Sequence, residues 1–213
     1  MGKTKPYISV EGIGVVTAPA DKITLSFSIQ ELHKQYKDCL DGLALRVQQL
    51  KADIVGCGFA GDQLKTGHFS VNPEYDYHEG QQLFRGYRAA QNLTIDMPMD
   101  KARLSEVLAT LSRSESKAEF NLQFGLKDDK PLRLQALAAA VATARENATA
   151  LAAAASVQLG AMQSILFTPT QVTIGGGLDV HMMAMKSAAP LEIDPADLRY
   201  EVKVVLEWVL GAG

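Results

Sequence analysis

Apolar and polar positions alternate cleanly in two stretches of this chain. Ala118, Phe120, Leu122, Phe124 and Leu126 interleave with Glu119, Asn121 and Gln123, and Tyr200, Val202, Val204, Leu206, Trp208 and Leu210 interleave with a face carrying Glu201, Lys203 and Glu207. A period of two belongs to a strand with one side buried and the other in water. The same alternation predicts strands over Tyr7–Thr17, Asp21–Gln30, Leu64–Val71, Leu83–Met97 and Gln163–Thr168.

Between these runs the apolar spacing changes to three and four, which predicts three helices. Tyr36, Leu40, Leu43, Val47, Leu50 and Ile54 form the stripe of the first, and Gly56 supplies its stop. Asp100 can cap the second, whose stripe is Leu104, Val107, Leu108 and Leu111. Asp129 can cap the third, Pro131 suits its first turn, and Gly160 is its predicted end. Its stripe is Leu134, Leu137, Val141, Ala144, Ala148, Leu151, Ala155 and Leu159, a run of about 45 Å at helical rise. The resulting order is β-β-α-β-β-α-β-α-β-β. Strand pairs on short turns with interleaved helices predict an α+β fold: an antiparallel sheet built from ββα units, with three helices on one face. The expectation is a single domain over 1–213, with 98–118 as the place where two subdomains would divide. Residues 169–195, which hold "IGGGLDVHMMAMKSAAP", are predicted as a long mobile loop.

Composition narrows the classes. With 213 residues the chain can bury a sizeable core, and 47% hydrophobic with 21% charged residues is ordinary for a globular protein. A net charge of -3, with the basic residues scattered singly, argues against nucleic acid as partner. No apolar run reaches the length of a membrane span, and "MGKTKPYISV" has no apolar signal core. The sequence as written therefore reads as cytoplasmic; a chain whose signal has been removed would read the same and be periplasmic or exported. Cys39 and Cys57 bracket a helical pattern 18 residues long, about 27 Å of rise, so they are predicted as separate thiols. Cys39 falls on the apolar stripe; Cys57, between two glycines, is expected to be the more exposed.

Candidate chemistry is sparse. "ISVEGIGVVTAPADKITLSFSIQ" contains a Gly-x-Gly, yet Thr17 stands where a dinucleotide turn needs its third glycine, and a strand follows where that turn needs a helix. Gly12 and Gly14 are better read as a bulge or bend before a hairpin. His33, His68, His78 and His181 are dispersed, and "YDYHEG" at Tyr75–Gly80 reads as a solvated hairpin tip. The sharpest candidate is "HMMAM": His181, Met182, Met183 and Met185 gather imidazole and thioether donors that suit Cu(I). The same methionines can pack against a neighbouring subunit or serve as oxidation sites, and all three readings stand. No cofactor and no catalytic residue is assigned.

Four linked stretches carry a family likeness. They are the opening segment with Val10, Gly12, Gly14 and the turn from Pro19 to Asp21; "LKTGHFSVNPEYDY" with Leu64, Thr66, Pro73, Tyr75 and Tyr77; "FRGYRAAQNLTIDM" with Gly86, Tyr87, Asn92 and Leu93; and the Ala-rich helix followed by a Pro- and Met-bearing loop and the last strand. Over nearly its whole length the chain resembles the SIMPL-domain family, named after a signalling protein that associates with a Pelle-like kinase. It departs from the family in placing Ala20 between Pro19 and Asp21, and in lacking a signal sequence that many exported members carry. The resemblance implies a bacterial protein without established catalytic activity, linked to oxidative-stress tolerance and forming homo-oligomers. The expected function is thus a non-enzymatic, self-associating protein; the alternative is a small-ligand or Cu(I)-binding stress protein that uses the Met-rich loop.

Overall fold

The computed structural model describes residues 6–78, 80–167 and 194–211. Ten elements follow in the order β1 (Tyr7–Ala18), β2 (Lys22–His33), α1 (Tyr36–Gly56), β3 (Lys65–His78), β4 (Gln81–Pro98), α2 (Lys101–Leu111), β5 (Glu119–Gly125), α3 (Lys130–Ala154), β6 (Gln158–Phe167) and β7 (Leu198–Gly211). The fold is α+β with antiparallel pairing throughout, in the order that the hydrophobic pattern predicts. The strands divide between two sheets, however, one ordered β1-β7-β6 and the other β3-β4-β2-β5. The helices are shared out with them, so they do not lie together on one sheet face. The described residues correspondingly group into two compact units: 6–20 with 126–167 and 196–211, and 21–125 with 194–195.

In the first unit α3 lies across β1 and β7. Its buried face is Ala136, Ala140, Ala144, Ala148 and Ala152, one alanine every four residues. The first four pack on Val10 of β1 and on Tyr200, Val202, Val204, Leu206 and Trp208 of β7. Of the predicted stripe, Ala144 and Ala148 lie on this face and Leu137, Val141 and Leu159 are partly buried against the same core, but Leu134 and Leu151 are about half exposed, so the face is centred on alanine. The reason is at β1. A Cβ added at Gly12 would stand 2.1 Å from the Ala140 carbonyl oxygen, and one at Gly14 would stand 2.0 Å from that of Ala136. Helix and strand touch backbone to backbone, which only alanine against glycine permits.

The Gly-x-Gly is therefore neither a bulge nor a bend. It sits mid-strand in an unbroken register with β7, Gly12 opposite Val204 and Gly14 opposite Val202. Nor does it lead into a hairpin: β1 pairs with β7, whereas β2 pairs with β4 and β5. The third helix also ends before Gly160. Ser156 takes the left-handed conformation at φ 57°, and the Ser156 and Val157 amides donate to Ala153 and Ala152, which closes the helix in a Schellman turn. Gly160 falls inside β6 instead, where a Cβ would press on the Val209 carbonyl at 2.8 Å. Asp129 occupies the N-cap position of α3, but its carboxylate accepts from the Tyr200 hydroxyl at 2.8 Å and makes no capping bond.

In the second unit α1 covers β2 and β4. Cys39, Leu43, Val47, Leu50 and Ile54 face the strand residues Ile23, Leu25, Phe27, Ile29, Leu93, Ile95 and Met97, all buried. This is the predicted stripe, Cys39 on it as expected, with Leu40 only partly buried and Tyr36 left outside. Asp100 caps α2 as predicted, accepting from the Arg103 amide at 3.0 Å. Both cysteines are free and buried. Cys57 is thus not the exposed thiol that its flanking glycines suggest; its Sγ donates to Thr110 Oγ1 at 3.3 Å.

The glycine contacts give a graded expectation. Gly12→Ala forces β1 off α3 and costs about 3 kcal/mol, the upper end of ordinary overpacking, because the obstruction is backbone. Gly56→Ala, with nothing within 4 Å of the added Cβ, is neutral or stabilises by up to about 1 kcal/mol. Urea denaturation of the two variants measures the contrast, and equal stabilities would contradict the backbone contact.

Candidate functional site

The most distinctive surface among the described residues is the hairpin of β3 and β4. These strands run 14 and 18 residues, and Gly80 at φ +81° lies in the turn between them. The register shifts between Glu74 and Tyr75, because Glu74 faces Gly86 while Tyr75 faces Phe84. Arg85 is left without an opposite number, a bulge that changes which side chains share a face. Gly86 completes it: at φ +152° it lies where a Cβ would meet the His33 carbonyl oxygen at 2.6 Å, so the Gly-Tyr pair marks a close strand approach.

The two faces of the hairpin then diverge. On one, Tyr75, Phe84, Tyr87 and Tyr36 form a chain of edge-to-face contacts with centroid separations of 5.6, 5.3 and 5.4 Å. Geometry of this kind adds stability beyond the area it buries. The chain prolongs the row that α1 covers farther along β4, but α1 begins only at Tyr36, so Tyr75 and Phe84 remain nearly half exposed. Tyr77, 74% exposed, accepts at its hydroxyl from the Gln82 amide.

On the other face Glu74 is clamped between two guanidinium groups. Arg88 donates to it from Nε and from Nη2, the latter at 2.7 Å, and Arg85 Nη1 donates at 3.1 Å. Arg88 also reaches Gln30 Oε1 at 3.0 Å, and Arg85 lies 3.6 Å from Asp76. The Arg88 hydrogen bond, aided by the positive charges of Arg88 and Arg85, holds the Glu74 carboxyl below the usual range; the same bond raises Arg88. A two-pronged guanidinium-carboxylate contact fixes orientation as well as charge.

The sequence candidates do not converge on a reactive centre. His33 sits at the end of β2, its Nδ1 accepting from the Gln35 amide and lying 3.4 Å from Asp38; His68 is in β3, and the backbone of His78 closes the hairpin. No group of three His, Cys, Asp or Glu among the described residues has metal-binding geometry. His181, Met182, Met183 and Met185, with the rest of 168–193, lie outside the described residues, as does Glu79. Sequence reasoning singles out Tyr75, Tyr77 and Asp76 but misses Glu74, Arg85, Arg88 and Gln30. Alternation alone would put Arg85 and Arg88 on opposite faces; only the bulge brings both to Glu74.

Two antiparallel sheets, each covered by helix on one side and carrying exposed apolar and ion-paired strand faces, define an α+β protein. The family model described as SIMPL, protein of unknown function (DUF541), matches residues 8–208, and the chain belongs to this family. No curated protein matches it. No helix among the described residues is long and apolar enough to cross a membrane.

The Glu74 clamp has a definite pH signature. A carboxyl with a depressed folded-state pKa contributes stability above its unfolded value, near 4.5, and loses it as pH falls through the folded value. Arginine side-chain NMR signals of Arg88 are expected to shift as the solution is taken below pH 4.5, and Glu74→Gln abolishes that transition. An Arg88 titration that survives the substitution would contradict the clamp.

Proposed function

We propose that this chain is a non-enzymatic, self-associating protein that acts through the faces and edges of its sheets. The observation that carries the reading is the run of large apolar side chains left exposed on strands: Phe69, Tyr75, Tyr77, Leu83 and Phe84 in one unit, and Ile165, Leu166 and Phe167 in the other. Monomeric proteins seldom leave so many large apolar side chains uncovered on their strands, and edge strands are natural templates for pairing between chains. Light scattering at micromolar concentration is expected to give a mass several times that of one chain. A strictly monomeric species would overturn the reading.

The role we propose for the assembly is in tolerance of oxidative stress, on the strength of the family likeness. Cells deprived of the protein are expected to lose viability in hydrogen peroxide, and the wild-type chain to restore it. Equal survival with and without the protein would remove this part of the proposal.

A further inference from the structure

The two sheets treat their edges differently. In the four-stranded sheet the outer strand β3 carries Pro73, a bulge at Gly67 and the charges of Lys65, Glu74 and Asp76, while β5 is only seven residues long. These are the ordinary devices that stop a strand from pairing with another molecule. The three-stranded sheet lacks most of them. β1 is 12 residues long, has no proline and keeps unbroken register with β7. Its one charged residue, Glu11, is already paired with Lys203 of β7. β6, the opposite edge, has no charged residue from Gln158 to Phe167, and its register shifts are confined to its first half, before Ser164.

The direction of the free hydrogen bonds on β1 follows from one contact. The Leu210 amide donates to the Pro6 carbonyl at 2.8 Å, which makes this a hydrogen-bonded pair of the ladder. Such pairs alternate along an antiparallel ladder. The even residues of β1 therefore bond to β7, and Tyr7, Ser9, Glu11, Ile13, Val15 and Thr17 direct their amides and carbonyls outward. Among the described residues β1 packs substantially only on β7 and α3.

The opposite edge shows the complementary deficit. Ile165 and Phe167 stand opposite Leu206 and Val204, both buried in the core that α3 covers. They share that face, yet they are 61% and 41% exposed, because α3 is drawn over β1 and scarcely reaches β6. One side of the sheet thus has an open strand beneath a helix; the other has an open strand with its apolar row uncovered.

Resting on the self-association proposed above, we infer that β1 of one copy adds to β6 of the next, so that the incoming copy's α3 covers Ile165 and Phe167. The occupant is a second copy because this chain supplies both halves of the fit. β1 and β6 are each antiparallel to β7 and so parallel to each other, and the new pair is parallel. The uncharged β6 and the already neutralised Glu11 bring no unpaired charge into it. Such a head-to-tail contact repeats from copy to copy.

Single and mixed variants test this by light scattering. Ile13→Pro removes an outward amide without touching the β7 ladder, and Val15→Lys tests the same edge with the backbone kept intact. Ile165→Lys places a charge on the β6 row. Each variant is expected to be monomeric alone, and Ile13→Pro (or Val15→Lys) mixed with Ile165→Lys to form one-to-one dimers, since one intact edge of each kind remains. Folded variants that assemble like the wild type would overturn this interface while leaving self-association standing. Variants monomeric both alone and mixed would overturn the head-to-tail pairing, and a monomeric wild type would remove the underlying proposal itself.

Discussion

At Gly12 and Gly14 the backbone of β1 meets the carbonyls of Ala140 and Ala136, with no room between them for even one methyl group. That contact governs the three-stranded sheet. It fixes why α3 presents alanine at every fourth position, since any larger side chain would lift the helix and forfeit the dispersion contacts along its length. It also fixes where the helix lies. A helix drawn down onto an edge strand covers that strand and its neighbour, and leaves the far strand half bare. The exposed Ile165 and Phe167 are then a consequence of close packing elsewhere in the same sheet.

The four-stranded sheet meets the opposite requirement. Its core is conventional, with a helix of medium-sized apolar residues over the central strands, and its outer strand is long. A long edge invites association unless it is interrupted. Pro73 and the bulge at Gly67 interrupt it, while the bulge at Arg85 on the neighbouring β4 gathers Arg85 and Arg88 around Glu74. The irregularity in β4 therefore stiffens the hairpin that displays Tyr75, Tyr77 and Phe84.

Much of this was legible in the residues, and the failures have physical causes. Alternation in Ala118–Leu126 and Tyr200–Leu210 locates two strands because one face of each is buried and the other is not. The stripe of α1 is legible for the same reason. The stripe of α3 is legible only in part, because a hydrophobicity pattern ranks leucine above alanine, whereas the strand opposite leaves space at the centre of the contact only for alanine. Gly160 misleads as a helix stop because Ser156 accepts the left-handed conformation. The partners of β1 and β2 are invisible along the chain, since β1 pairs with a strand nearly two hundred residues away. The Glu74 clamp depends on one unpaired residue that shifts parity, and no periodicity anticipates it.

The central claim, that the job of this SIMPL-family chain is done by open sheet edges, is tested most directly by amide hydrogen exchange along β1 as concentration is raised. The even-numbered residues bond to β7 and should be protected at every concentration. The account predicts that Ser9, Glu11, Ile13 and Val15 exchange freely in dilute solution and become protected as the protein assembles. Fast exchange at these four amides in the fully assembled protein would contradict it.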